Sequence, residues 1–208
     1  MYFWKAIFGL NIYLTCTLSF TAVIGDYLTL NFSDSPIVKA ALDNGTHFII
    51  GGFSWFIFYL NSDKIDCSLR QIVAEIFLCA LMSSLIDLDH FIAAKSFFLK
   101  DAIRLQKRPF LHCSTIPIVG LLSLLPMSYV FQVNALKRLT LIFITAFVSH
   151  HVRDATRRGF WFYPFGTTAP IPYLFYIFLT CLIPFIVLLI HKNVKISTES
   201  KYHRIEIL

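Results

Sequence analysis

The chain has 208 residues, is 57% hydrophobic and 14% charged, and carries a formal net charge of +6. An average soluble domain is about 45–50% apolar and about 25% charged, so the excess here, with a mean hydropathy of +0.68, excludes an ordinary soluble core and predicts an integral membrane protein. The basic residues fall in short loops between apolar runs, not on a soluble basic face, which argues against nucleic acid and for membrane lipids or an anionic substrate as partners.

Six apolar runs approach the roughly 20 residues that a membrane span needs. The first extends from about Ala6 to Leu30. It is longer than the apolar region of a signal peptide and lacks a clear small-residue cleavage site, so it is expected to be the first span. The second extends from about Ile37 to Leu60 and is followed by a polar break, Asn61 to Ser68. The third covers about Leu69 to Ile92, the fourth Ser114 to Val133, the fifth Leu139 to Asp154 and the sixth Ile171 to Ile190. The fifth is the weakest, being short and polar at its end. Between the third and fourth, Phe97, Phe98, Ala102, Ile103 and Leu105 alternate with Lys95, Lys100, Arg104 and Lys107. That pattern predicts an amphipathic helix on the membrane surface from Lys95 to Arg108, with a charged loop as the alternative. The expected fold is therefore an all-α, multi-pass transmembrane helix bundle of about six spans. Residues 1–208 form a single integral membrane domain with a short polar tail at 192–208. The five cysteines show no CxxC pairing, and neither a disulfide framework nor a cysteine-type zinc site is expected.

Within or at the ends of these runs stand Asp26, Asp43, His47, Asp87, Asp89, His90, His112, His150, His151 and Asp154. Such groups are costly near hydrocarbon, and a membrane protein that keeps them usually uses them. Successive spans cross in opposite directions. Asp26 ends the first run, Asp43 and His47 open the second, and Asp87, Asp89 and His90 end the third. His112 opens the fourth, and His150, His151 and Asp154 end the fifth. All therefore fall on one membrane face. Asp43 with His47 and His150 with Asp154 are i,i+4 pairs, and Asp87 with His90 is i,i+3, so each pair shares a helix face. Three pairs and His112 predict a two-metal site, with some carboxylates orienting ligating imidazoles. The alternatives for single residues are structural. Asp43, beside Asn44, reads also as a helix cap or a span–span hydrogen bond, and His191 and His203 read as interfacial residues.

Five segments carry a family resemblance: Asp43-Asn44-Gly45-Thr46-His47, Leu85 to His90, Lys107 to Thr115, Ser149 to Asp154, and Pro164-Phe165-Gly166. Together they resemble the transmembrane protein 267 family of animals, over roughly Asp26 to Pro172. That resemblance implies a multi-pass membrane protein of undefined activity. More distantly, the pattern is similar to a bacterial inner-membrane family of metal-dependent hydrolases with Thr-His, Leu-Pro-Asp-x-Asp-His, His-Arg-Gly-x-Thr-His and Ser-His-x-x-x-Asp motifs. Thr46-His47 answers the first, Asp87, Asp89 and His90 the second, His112 the last histidine of the third, and His150 with Asp154 the fourth. Lys107 stands where the third motif has its first histidine, Pro109 where it has glycine, and Leu111 where it has threonine.

The resulting expectation is a divalent metal site of His47, Asp87, Asp89, His90, His112, His150 and Asp154, with Asp87, Asp89 and His112 closest to catalysis. Zn²⁺ is favoured for such a mixed set, with Mn²⁺ or Fe²⁺ as alternatives. Arg108, Arg153 and Arg157 are expected to receive a substrate anion, and the alternative is that they anchor headgroups. The function expected is a metal-dependent hydrolase acting on a phosphoester or lipid-linked anion. The competing readings are a membrane scaffold with a degenerate site and an ion transporter. Lysine and arginine split evenly between the two faces, so charge assigns no orientation.

Overall fold

The structure, a computed structural model, describes residues 2–31, 34–62 and 67–196, with side chains from residue 9 onward. Among them the α-helices are α1 (Tyr2–Asn31), α2 (Pro36–Asn61), α3 (Leu69–Leu85), α4 (Asp89–Ala94), α5 (Leu99–Ala102), α6 (Thr115–Val130), α7 (Asn134–Arg158) and α8 (Tyr173–Asn193). Short 3₁₀ turns occupy Ile86–Leu88 and Phe110–His112, and β1 (Trp161–Phe162) pairs antiparallel with β2 (Gly166–Thr167). The fold is all-α apart from this hairpin. Most of the expected polar tail, including His203, lies outside the described residues, as do positions 63–66 of the polar break.

By length and composition, Gly9–Asn31, Leu69–Ala94 and Tyr173–Asn193 are long and apolar enough to cross a membrane, and Thr115–Val130 is a shorter apolar helix. α7 is much less apolar than these, and its place in the bundle accounts for it. α7 packs against α2, α3, α6 and α8. It buries Thr140, Thr145, Ser149, His150 and Arg153, so protein rather than lipid surrounds much of it. It also extends beyond the expected Leu139 to Asp154, because Asn134–Arg138 and Ala155–Arg158 remain helical. The core lies between α1, α2, α7 and α8, where Leu18, Trp55, Phe58, Leu141, Ile142, Tyr176 and Val187 are buried.

Contacts between helix ends set the directions of the helices. At one end of the bundle Asn11 and Asn61 exchange amide hydrogen bonds of 2.8 Å, and Arg138 of α7 pairs with Glu75 of α3 at 2.5 Å. Lys137 donates to the carbonyl oxygens of His191 and Val194 at the end of α8. At the other end Tyr173, opening α8, donates to Asp26, near the end of α1, at 3.1 Å. The end of α1, the start of α2, the end of α7 and the start of α8 thus meet at that end.

α2 and α3 make the most intimate helix contact through Gly51 and Gly52. A Cβ on Gly51 would stand 2.6 Å from the Ser83 Cβ, and one on Gly52 would stand 2.9 Å from the Ala80 Cβ. Gly51→Val is expected to destabilise the protein by about 1–3 kcal/mol through overpacking, read as a lower melting temperature in detergent. An unchanged melt would mean that the two helices part at little cost.

The expected surface helix from Lys95 to Arg108 is corrected. Lys95 adopts a left-handed conformation (φ 49°) that ends α4, and only Leu99–Ala102 is helical. Ser96 donates to Asp101 at 2.6 Å, and Ala102 is buried, so the segment folds as a tight turn. Phe97 and Phe98 nonetheless remain exposed.

Candidate metal centre

Each contributor to the site owes its aim to a local device. α3 tightens into the 3₁₀ turn Ile86–Leu88 before α4 begins. Asp87 and Asp89 therefore point differently: Asp87 lines a cavity of about 150 Å³, whereas Asp89 is buried behind it. Pro109 opens the turn that delivers His112, whose N–H donates to the Pro109 carbonyl at 3.2 Å. α7 places His150 and Asp154 one turn apart and then stops at Gly159, whose φ of 68° suits glycine.

Four side chains converge. His112 Nε2 lies 3.4 Å from Asp87 Oδ1, 3.4 Å from Asp154 Oδ2 and 3.2 Å from His150 Nε2. His150 Nε2 lies 3.6 Å from Asp87 Oδ1 and 3.5 Å from Asp154 Oδ2. A tetrahedral ion with bonds of about 2.1 Å requires ligand atoms about 3.4 Å apart, so these five separations match its edges. All four ligand atoms lie within 4.8 Å of one another. Two imidazoles and two carboxylates are a donor set that zinc accepts.

The surrounding groups orient these four. His150 Nδ1 donates to the Ser83 carbonyl at 2.8 Å, which leaves Nε2 as the lone pair facing the cluster. Asp89 accepts the Leu111 N–H at 2.7 Å and holds His112 Nδ1 at 3.2 Å, on the ring edge away from the cavity. Asn44 donates to the Ser84 carbonyl at 3.0 Å and to Asp87 Oδ2 at 3.4 Å, and it accepts from the Ser84 hydroxyl. His47 stacks on His150 with ring centroids 3.8 Å apart, and its Nε2 is 3.5 Å from Asp154 Oδ1. Both His47 nitrogens are buried without a hydrogen-bond partner. A buried imidazole left in that state is costly unless an ion or another donor completes it, which is a second feature that fits a metal. His112 is the most polarised group. Burial of its ring opposes protonation, but the carboxylates of Asp154, Asp87 and Asp89 outweigh it and push its pKa up to about 11.

Several sequence expectations are corrected by this geometry. Asp43 and His47 do not form a chelating pair: Asp43 binds Arg153 at 2.8 Å and Arg157 at 3.1 Å, while His47 turns to Asp154. Asp89 and His90 form a second group with His112, on its other ring nitrogen, and this does not contradict the expected two-metal arrangement. Asp89, expected close to catalysis, lies 3.2 Å from His112 Nδ1, the ring nitrogen opposite the four-atom cluster. Arg153 is 2% exposed and bonds Asp26 at 2.8 Å, so it is unavailable to a substrate anion. Arg157 is held by Asp43 and Asp154 but reaches the cavity, as do Arg108 and Arg158. Arg108 itself donates to the carbonyls of Gly159, at 3.0 Å, and Arg158. Lys107 is exposed and does not line the cavity, so its ammonium occupies no position among the four converging atoms. Asn44 and the Ser83 carbonyl were not singled out from sequence as parts of a site. The first stands within the Asp43 to His47 motif, whereas a carbonyl acceptor leaves no trace in a residue pattern.

No family model matches the chain, and no solved structure matches it. Among curated proteins it is similar to Transmembrane protein 267 of Xenopus laevis, 41% identical over 152 residues that make up 71% of this chain and 66% of the relative. Transmembrane protein 267 of Bos taurus is 38% identical over 72% of this chain and 67% of its own length. That of Danio rerio is 36% identical over 80% and 73%. The chain thus spans about two thirds to three quarters of the length of these relatives, and their name and its own apolar helices assign it to the membrane. The chain belongs to the transmembrane protein 267 family.

Proposed function

We propose that this is a six-span, single-domain membrane protein whose Asp/His cluster holds a divalent metal ion, with Zn²⁺ favoured, and supports hydrolysis of a phosphoester or lipid-linked anion. The observation that carries this reading is the tetrahedral spacing of His112, His150, Asp87 and Asp154. Six spans would put the ends of α1, α4 and α7 and the starts of α2, α6 and α8 on one membrane face. A bound divalent ion supplies a water whose pKa falls to about 7. His112 and His150 would hold it through Nε2, with Asp87 and Asp154 as the anionic donors and His47 pressed against Asp154. Asp89 keeps the His112 ring in place, and Arg157 and Arg158 offer positive charge to an anion entering from the open side. The transporter alternative needs ionisable groups along the length of the bundle, whereas the residues packed beside Leu18, Ile50, Leu141 and Ile142 are apolar or carry hydroxyls, such as Ser54 and Thr145. The scaffold alternative draws on Lys107, but that residue lies outside the cavity.

The test is the metal content of purified protein, followed by phosphoester hydrolysis by the loaded protein. Protein without metal, even after incubation with zinc, would overturn the reading. The elevated pKa of His112 sets a further expectation. Below about 11 this ring carries a proton that a metal must displace, so zinc affinity should rise with pH. From about pH 6 to about pH 8 the increase should be about tenfold per unit for that one proton. Competition titration against a chromophoric chelator at several pH values measures the slope, and a flat profile would mean that no proton leaves His112 when metal binds.

A further inference from the structure

The segment 109–115 has two faces. Pro109, His112 and Ser114 line the metal cavity. Phe110, Cys113 and Thr115 turn the other way and line a separate apolar groove of about 460 Å³, completed by Ile116 and Val119 of α6 and by Trp161 and Tyr163 of the hairpin. The shared wall is fastened: Ser114 N–H donates to the Trp161 carbonyl at 2.7 Å, and Thr115 Oγ1 to the Tyr163 carbonyl at 3.0 Å. From the groove an apolar track continues down α6, where Ile118, Val119 and Leu122 are exposed. Phe110 and Tyr163, which line the groove, are also exposed. Exposed aromatic rings suit the water–lipid boundary.

Arg108, Arg157 and Arg158 line the cavity together with Asp43, Asp87 and Asp154, and Arg108 is pinned by backbone carbonyls. Among the described residues the Arg158 guanidinium has no hydrogen bond or ion pair, although Arg157 beside it has two carboxylate partners. Two neighbouring like charges, one without a counterion, are relieved by an anion placed between them.

We propose that the ligand of this site is an anionic phospholipid, with its phosphate between Arg158 and the Asp/His cluster and one acyl chain over Phe110 into the groove along α6. This rests on the reading of the cluster as a metal centre, and it names the substrate class. A soluble phosphoester would use the arginines and leave the groove without a role. A lipid uses both, and the groove lies against the same seven-residue wall as the cavity.

The test uses the full chain in detergent, with dioleoyl phosphatidic acid, dioleoylglycerol and glycerol 3-phosphate as probes. Native mass spectrometry reads lipid retention, calorimetry reads the soluble probe, and metal content is measured separately. Arg158→Gln is expected to weaken phosphatidic acid retention about tenfold, the loss of one charge-assisted contact. Val119→Trp, which fills the groove, and Phe110→Ala, a change at an exposed groove residue that spares packing, should each weaken it about fivefold. Both should leave glycerol 3-phosphate binding unchanged. Glycerol 3-phosphate binding as tightly as phosphatidic acid, dioleoylglycerol retained equally well, or groove variants without effect would each overturn the proposal. Metal present with this lipid pattern absent defeats the lipid site alone. The lipid pattern present with no metal defeats the metal reading alone.

Discussion

His112→Ala should abolish metal binding more completely than any other single change. Its Nε2 stands 3.2–3.4 Å from the three other converging atoms, a little closer to the two carboxylates than His150 Nε2 does at 3.5–3.6 Å. Its Nδ1 also belongs to the second group, with Asp89 and His90, so the substitution dismantles both. The expected loss of zinc affinity exceeds the roughly 10–100-fold that removal of an outer-shell partner costs. Asp89→Asn supplies the scale. If Asp89 only orients the ring, that variant should fall within the 10–100-fold range and keep one metal per chain. If Asp89 is itself a ligand of a second ion, stoichiometry should drop instead. His151→Ala is the control, because His151 spends Nε2 on the Leu111 carbonyl at 2.9 Å and Nδ1 on Ser114 at 3.3 Å, and offers no lone pair to the cluster. Metal retained in His112→Ala at the level of the unsubstituted protein would sink the metal reading.

The helices were legible because apolar runs of sufficient length report themselves. Ile37 to Leu60 and Ile171 to Ile190 differ from α2 and α8 by a few residues at most. Alternation in the direction of successive helices was also enough to bring Asp87, His112, His150 and Asp154 to one end, without any knowledge of contacts. What failed was partner choice. Spacing correctly puts Asp43 and His47 on one helix face, but Arg153, arriving from α7, outcompetes an imidazole for Asp43 because it offers a full charge and two N–H groups. The separation of Asp87 from Asp89 depends on a 3₁₀ turn that the Leu85 to His90 sequence does not announce. The broken surface helix depends on a left-handed Lys95, which no residue pattern signals. These misses share a cause: each is decided by a tertiary neighbour or by a single backbone torsion, and neither has a periodicity to read.

Arg153→Ala should be the most destabilising substitution at this end of the bundle. The guanidinium is almost wholly buried and ties three helices, bonding Asp26 of α1 through Nε and Asp43 of α2 through Nη1, each at 2.8 Å. Its removal leaves Asp26, a partly buried carboxylate, with only the Tyr173 hydroxyl, and Asp43 with only the more exposed Arg157. Breaking a buried pair in this way costs about 3–5 kcal/mol, a fall on the order of 10 °C in melting temperature. Arg153→Lys should recover little, because one ammonium cannot place donors on both carboxylates. Combining Arg153→Met with Asp26→Asn and Asp43→Asn removes the charges together and should restore much of the stability. This series separates a tie from a ligand-binding arginine. A ligand-binding arginine would leave the melt unchanged and lower only anion affinity. A tie lowers the melt, and metal content falls with it, because the turn of α7 that holds His150 and Asp154 is the turn that Arg153 anchors. Recovery of the melt and of the metal in the triple variant would mean that Arg153 serves the cluster only by holding α1 and α2 against α7. Recovery of the melt without the metal would mean that its charge acts on the cluster directly.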